Sequence, residues 1–408
     1  MNHHDAITTR LLVELARAPR EKRPVCLLRL SEKLNAQGAF AQARSLLEEA
    51  RDIAPQNPRV LRALGLSLCR AGELRDGLAI YDRGRWRLKE FEVIRRPLPQ
   101  PIWAGEPVAG KSMILSAEQG IGDQVMQLRV VPELLSDGTK VAIELDPRLF
   151  PLVARSFPLV ARSFPEVRCA AHTVEPDAWL RDAGFEFRAS MLSAWRWTSA
   201  SDGETIQRAY LKPDAELVRR FRSLWQKNGC RFQVGLSWRS AAKVTGKAKS
   251  IDPEMFAPLF QHDDVAFHAL QYDTDADEVA ALSAQLGRPI GFDADGDAHD
   301  NIDRLAAQIA ALDLVISIDN TTVHVAGAMG TMCFAMLPCQ SDWRWGTEGR
   351  QTALYSSLRL YRNRQIGRWG SVMAEVARDF EDWAVRLRWA ASRSRGPRIL
   401  GLENGYRR

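Results

Sequence analysis

The chain has 408 residues, 46% of them hydrophobic and 26% charged, enough ordinary globular material for two or three domains. The net charge of +6 is spread thinly over short clusters at Arg83–Arg85, Arg219–Arg222 and Arg393–Arg398, with no long basic tract, which argues against nucleic-acid binding. No apolar run nears the roughly 20 residues that span a bilayer, the N-terminus lacks a basic-then-apolar leader, and six scattered cysteines without a Cys-x-x-Cys pair suit a cytoplasmic protein with neither zinc site nor disulfide framework.

Residues 1–94 read as a helical region with a weak internal repeat. Leu27, Leu30, Leu34, Ala43, Leu47 and Ala50 recur as Leu61, Leu64, Leu68, Gly77, Tyr81 and Gly84. The spacing predicts two helical hairpins, turning near Gly38 and Gly72, with a further helix over Thr8–Ala18. A proline-rich linker with Trp103 at its centre occupies 95–109.

A first α/β domain is expected over 110–228, with strands at Ser112–Ala117, Lys140–Leu145, Val167–Ala171 and Phe185–Ala189 and one helix over Gln124–Leu135. Pro-Leu-Val-Ala-Arg-Ser-Phe occurs at 151–157 and again at 158–164. This reads as a tandem duplication without chemistry. Tyr210–Pro213 is a connector and Ala215–Gln226 a helix. A second α/β domain, 229–391, should carry strands Gln233–Trp238, Val265–Gln271, Pro289–Phe292, Leu314–Ile318, Met332–Leu337 and Ser357–Tyr361, with helices over Asn301–Leu312 and Ser371–Ala391. A basic tail, 392–408, ends the chain.

Polar residues collect where strands end. Glu118-Gln119-Gly120-Ile121-Gly122-Asp123 follows the first strand. Glycines let backbone approach a ligand, and Asp123 can either take a proton from a hydroxyl or simply cap a helix. The absence of Gly-x-Gly-x-x-Gly gives no support to a nicotinamide cofactor. After Leu314–Ile318 come Asp319, Asn320, Thr321, Thr322 and His324. They could hold a phosphate or sugar at a helix N-terminus, or form a capping cluster around a packed histidine. Trp238 and Arg239 end another strand, with Lys243, Lys247 and Lys249 on the loop beyond, where a diphosphate could be neutralised; Lys247 and Lys249 read better as solvated. Gln271 and Tyr272 could bond to and stack on a base, or pack at the sheet edge. Trp343-Arg344-Trp345 is either a ligand shelf or a core plug, with the plug favoured.

Ala-Glu-Gln-Gly-Ile-Gly-Asp at 117–123, Ser-Ile-Asp-Asn-Thr-Thr-Val-His-Val-Ala-Gly-Ala-Met-Gly at 317–330 and Leu-Pro-Cys-Gln-Ser-Asp-Trp-Arg-Trp at 337–345, placed after helical repeats, resemble bacterial tetratricopeptide-repeat proteins with a GT-B glycosyltransferase module. The module is similar to family-nine heptosyltransferases and, more distantly, to protein O-GlcNAc transferases; flagellin-glycosylating proteins share the domain order. The resemblance spans about 24–391. It implies an α/β GT-B fold of two Rossmann-like domains, the second binding the donor, behind an all-α repeat domain. By position Asp123 matches the general base. Asp319, Thr321, Thr322 and His324 match nucleotide-sugar contacts, and Arg239 and Lys243 the diphosphate-binding cations. Gly122, Trp238, Gln271, Tyr272 and Asn320 complete the expected donor site. Asn320 departs from the small or hydroxyl residue usual there, and the 151–164 duplication lies where an acceptor could enter.

The expected function is inverting, metal-independent transfer of a sugar from a nucleotide sugar to an acceptor hydroxyl, plausibly on a protein such as flagellin held by the repeats. No cofactor, metal, nucleic-acid partner or membrane span is expected. The rival is a non-catalytic scaffold or nucleotide sensor of the same architecture.

Overall fold

The computed structural model describes residues 3–91, 98–157, 181, 184–199, 209–294 and 300–393. Five helices come first: α1 (His3–Arg17), α2 (Arg23–Ala36), α3 (Phe40–Ile53), α4 (Pro58–Arg70) and α5 (Leu74–Arg85). Gly38 (φ 77°) and Gly72 (φ 90°) take the left-handed conformation that lets each hairpin turn. Pro58 starts α4 at a position needing no N–H, and the Asn57 side chain accepts from Arg59 N and Val60 N. Several repeat positions are packing positions: Leu27 and Ala50 form one buried cluster with Val60, and Leu47, Leu64 and Leu68 form another. A Cβ at Gly65 would lie 2.4 Å from Tyr81 N, so α4 and α5 cross at a distance that a side chain would forbid.

The next unit runs β1 (Ser112–Ser116), α6 (Ile121–Gln127), α7 (Val130–Ser136), β2 (Lys140–Glu144), α8 (Phe150–Ser156), β3 (Phe187–Ser190) and α9 (Met191–Ala194). Its strands form a parallel sheet ordered β2-β1-β3. The single helix expected over 124–135 is two, broken at Leu128-Arg129. Pro132 explains the break: it has no N–H to give and its ring crowds the carbonyl of Leu128. The linker runs along the edge of the sheet. Trp103 N donates to Arg188 O at 2.8 Å, and Ile102 bridges to Arg188.

A second unit follows α10 (Ala215–Trp225): β4 (Phe232–Ser237), α11 (Gly246–Lys249), β5 (Val265–Ala269), α12 (Ala276–Leu286), β6 (Ile290–Gly291), α13 (Ile302–Ala311), β7 (Leu314–Ile318), α14 (Thr321–Met329), β8 (Cys333–Leu337), β9 (Leu358–Arg362) and α15 (Gly370–Arg393). All six strands are parallel, ordered β6-β5-β4-β7-β8-β9. This is the Rossmann order, three strands winding one way from β4 and three the other from β7. β4, β7 and β8 are buried at every residue, as helices on both faces of a parallel sheet require. One core runs from Leu78 and Tyr81 of the repeats through Val125 and Leu128 to Val315 and Ala326; another covers the opposite face of the second sheet beneath α15.

The architecture is the expected α/β GT-B arrangement, two Rossmann-like units behind helical repeats. Among the described residues no helix is long and apolar enough to cross a membrane. The second copy of the duplication, the strand expected at Val167–Ala171 and the tail beyond Arg393 lie outside the described residues. The first copy forms most of α8, with Leu152 and Val153 in the core.

Candidate active site

In doubly wound sheets ligands bind beyond the carboxyl ends of the strands, where the winding changes direction. In the first sheet that place is the end of β1, between β2 and β3. The turn there is Glu118–Gly120, and Asp123 is the third residue of α6. In the second sheet the place lies between β4 and β7, and Asp319–Thr322 form the turn beyond β7. The two turns meet. A Cβ on Gly122 would fall 2.8 Å from His324 Cδ2, so the first turn of α6 lies directly on α14. Between them opens a cleft of about 350 Å3 whose walls carry Asp123, Arg148, Lys249, Tyr272, Asp319 and Arg344.

Asp123 faces this cleft with 18% of its side chain exposed. Its Oδ2 accepts from Gly120 N at 3.2 Å, a bond that also caps α6, and its Oδ1 lies 2.5 Å from Arg344 Nη2. Burial raises the carboxyl above its ordinary range, against the opposing pull of Arg344. The cap expected from sequence is present: one oxygen holds the turn, and the other is held by a cation at the cleft wall. Arg344 also bonds Asp342 Oδ2 at 3.0 Å and His324 Nε2 at 3.3 Å. An imidazole nitrogen accepting from a guanidinium carries no proton, so Nδ1 bears the hydrogen and donates to Tyr355 Oη at 3.0 Å. Burial, with Arg344 and Lys249 nearby, holds the His324 pKa well below its usual value and keeps the ring neutral.

Asp319 is almost fully buried. It accepts from Trp345 Nε1 at 2.8 Å and pairs with Lys249 Nζ at 2.9 Å. Asn320 caps α14 by accepting from Thr322 N at 3.0 Å and donates to Ser237 Oγ at 2.8 Å, tying β7 to β4. The structure thus brings Gly122, Asp123, Asp319, Asn320, Thr321 and His324 to one cleft, with Tyr272 opposite. Tyr272 Oη there accepts from Ala241 N at 2.9 Å.

Other expected donor residues sit elsewhere. Thr322 is buried beneath the turn. Trp238 is sealed in the core of the second sheet. Arg239 turns away from the cleft to Glu278, with contacts of 2.9 and 3.1 Å, and to the carbonyl of Asp273. In this structure its guanidinium is paired with a nearby carboxylate at a half-exposed position. Lys243 is exposed on the loop and absent from the cleft wall. Gln271 is buried and consumed by backbone, accepting from Trp238 N and Arg239 N and donating to the carbonyls of Arg239 and Tyr272.

Three cations outside the donor site expected from sequence line the cleft: Lys249 reads there as solvated, Arg344 enters only within Trp-Arg-Trp, and Arg148 is not named. Lys249, read as solvated, is brought inward because its loop closes on itself. A Cβ on Gly246 would meet Ser240 O at 2.2 Å, while Ser250 Oγ accepts from Ser240 N and donates to Gly246 O. Arg344 reaches the cleft because Trp343 and Trp345 are both core plugs, as favoured from sequence, and the residue between them points the other way. Arg148 lines the opposite wall, paired with Asp146 at 2.9 Å. The spacing of Gly246 and the alternation Trp-Arg-Trp are the signals that could have found the first two.

Residues 34–85, from the end of α2 through α5, match the tetratricopeptide repeat family. Protein FlbA of Caulobacter vibrioides is 29% identical over 344 residues, which are 78% of this chain and 54% of that protein; the chain therefore spans about half the length of this curated relative. Among solved structures, a glycosyl transferase family 9 protein from Veillonella parvula is similar at TM-score 0.44 and 12% identity, covering 64% of this chain and 87% of that one. The ADP-heptose LPS heptosyltransferase II of E. coli is similar at TM-score 0.45 and 11% identity, covering 68% and 99%.

Proposed function

We propose that the cleft transfers a sugar from a nucleotide sugar to an acceptor hydroxyl, with inversion. The observation that carries this reading is the placing of a carboxylate with a raised pKa, Asp123, in one cleft with Lys249, Arg344 and the N-terminus of α14. A carboxylate poised above its usual range can accept the acceptor's proton as the new glycosidic bond forms. The electron pair of the breaking bond leaves on the nucleotide's phosphate. Lys249, Arg344 and the positive end of α14 supply the charge to stabilise it. The sequence resemblance supports the same assignment. In this reading the phosphate is neutralised by side chains, and turnover persists in chelator.

His324 contributes by being neutral. Its Nε2 orients Arg344 and its ring stacks 5.2 Å from Trp345, whose indole holds Asp319. Asp319 in turn holds Lys249. The expected donor residues are thus, in part, the supports of the residues that face the ligand.

One observation favours a second reading. Asp123 and Asp319 both end in ion pairs within the protein. A sensor could keep such pairs closed and bind nucleotide without turnover. A thermal-shift panel with UDP, GDP, ADP and CMP, and with their sugars, tests the shared premise. A ligand that binds only the native state adds about 2.7 kcal/mol at 100 Kd. A shift with one nucleotide that Lys249→Met reduces supports the cleft as the site; no shift with any of them rejects both readings. Donor hydrolysis or transfer then separates enzyme from sensor. The repeats would hold the acceptor, and whether that acceptor is flagellin is tested by incubating the chain with it and donor.

A further inference from the structure

A second cavity, of about 710 Å3, lies at the seam between the last repeat helix and the first α/β unit, within the range of about 300–1,000 Å3 for ligand clefts. One wall is the face of α5 bearing Ala79, Asp82 and Arg83, with Trp86 just past its end. The other is the linker at Ile102–Ala104, with Trp197 and Arg196 beyond α9. Three indoles, Trp86, Trp103 and Trp197, therefore surround one space. Their orientation is fixed. Trp103 Nε1 donates to Glu106 O at 2.8 Å, the Arg85 guanidinium lies 4.1 Å over Trp86, and that of Arg196 lies 4.6 Å over Trp197. A Cβ on Gly105 would come 2.6 Å from the Trp197 ring, so the backbone backs that indole directly.

The charges around this space are uneven. Arg83, Arg188 and Arg196 line it, against one carboxylate, Asp82. Asp82 pairs with the fully buried Arg85 at 2.8 Å and also with Arg196 at 3.8 Å, and Arg188 donates to Gln100 O at 3.0 Å. The space is thus apolar within and cationic at its rim. Ile102 is 62% exposed and Trp197 36% exposed beside it. On the α5 side Arg83 is exposed, and Ala79 and Trp86 are half-buried.

We propose that this cavity is a docking site for a polypeptide segment carrying apolar or aromatic side chains flanked by carboxylates. The apolar side chains enter among the three indoles, and the flanking carboxylates meet Arg83, Arg188 and Arg196. Its floor adjoins the catalytic turn: Arg85 also donates to Glu118, the residue that begins the turn leading to Asp123, and to Ser193 Oγ at 2.8 Å. Docking itself does not rest on the sugar-transfer reading.

The test is calorimetric titration of the full chain, without nucleotide, by a capped Glu-Phe-Glu-Leu-Glu peptide and by its Lys-for-Glu, Ser-for-Glu and Ser-for-Phe/Leu counterparts. The expected result is binding of the acidic apolar peptide, weakened about tenfold or more in each counterpart. Arg83→Glu and Ile102→Glu, both at exposed positions and checked for unchanged melting temperature, should weaken it by a similar factor. No heat up to about 1 mM, equal binding of the lysine or serine peptides, or unchanged affinity in both variants would overturn the proposal. Binding without donor turnover would sustain the docking site while rejecting the transferase; turnover without binding would do the reverse.

Discussion

The turns after β1 and β7 look alike in sequence, short polar stretches between a buried strand and a helix, but the structure uses them differently. After β7 nearly every polar group is consumed by the fold. Asn320 caps α14 and ties β7 to β4, Asp319 is shared between Trp345 and Lys249, and Thr322 is buried. After β1 there are two acidic side chains: Glu118 is buried and held by Arg85, while Asp123 faces the cleft. The richer motif serves mainly as scaffold, and the poorer one presents the carboxylate that we propose as the base. A dense polar motif at a strand end locates a site, but its own residues can serve as supports, while side chains from other loops meet the ligand.

The comparison can be broken at its joints. Arg344 joins the two turns, contacting Asp123 on one and His324 on the other. Arg344→Met should cost about 3–5 kcal/mol in urea unfolding, the penalty for leaving a buried partner charge uncompensated. A loss under about 1 kcal/mol would mean the pair is solvent-screened and the turns are not coupled. Gly122→Ala should cost about 1–3 kcal/mol, because the added methyl meets a ring held on both sides and cannot be accommodated by a rotamer change. Unchanged stability would show that α6 and α14 can separate freely. Asn320→Ala should cost about 1–2 kcal/mol through the lost cap, and should affect nucleotide affinity only through stability. Arg239→Ala, at a half-exposed pair with Glu278, should change stability by less than about 1 kcal/mol and nucleotide binding by less than about twofold. A large loss of binding there would return Arg239 to the ligand.

The sequence carried the fold because local patterns did. Leu314–Ile318 is a strand with the expected bounds, and Asn301–Leu312 differs from the observed Ile302–Ala311 only at its ends. Continuous apolar runs and a 3.6-residue stripe are short-range signals. The repeat positions were legible for the same reason, since each hairpin buries its own face. The helix break near Pro132 was missed because apolar spacing continued through it. The site was half legible. Asp123 and the 319–324 turn stood out because glycines and caps mark strand ends. The pairs Lys249–Asp319 and Arg344–Asp123 were not legible, because they join residues brought together only by the two sheets' winding. Arg239 and Gln271 misled for a related reason. A polar residue at a strand end looks available until the neighbouring strand supplies its partner, here Glu278 for the guanidinium and backbone for the amide.

The central claim is that Asp123 is a proton acceptor in a cleft that binds nucleotide sugars. The direct measurement is nucleoside diphosphate release from the donor identified by thermal shift, with acceptor present, for the natural chain and for Asp123→Asn, with nucleotide binding measured on the same samples. The account predicts unchanged binding and at least about a 100-fold loss of release in the variant. For the natural chain it predicts a rate that rises with pH as the carboxylate ionises, through a midpoint above the ordinary aspartate range. Release by Asp123→Asn at the natural rate, with the same pH profile, would contradict it.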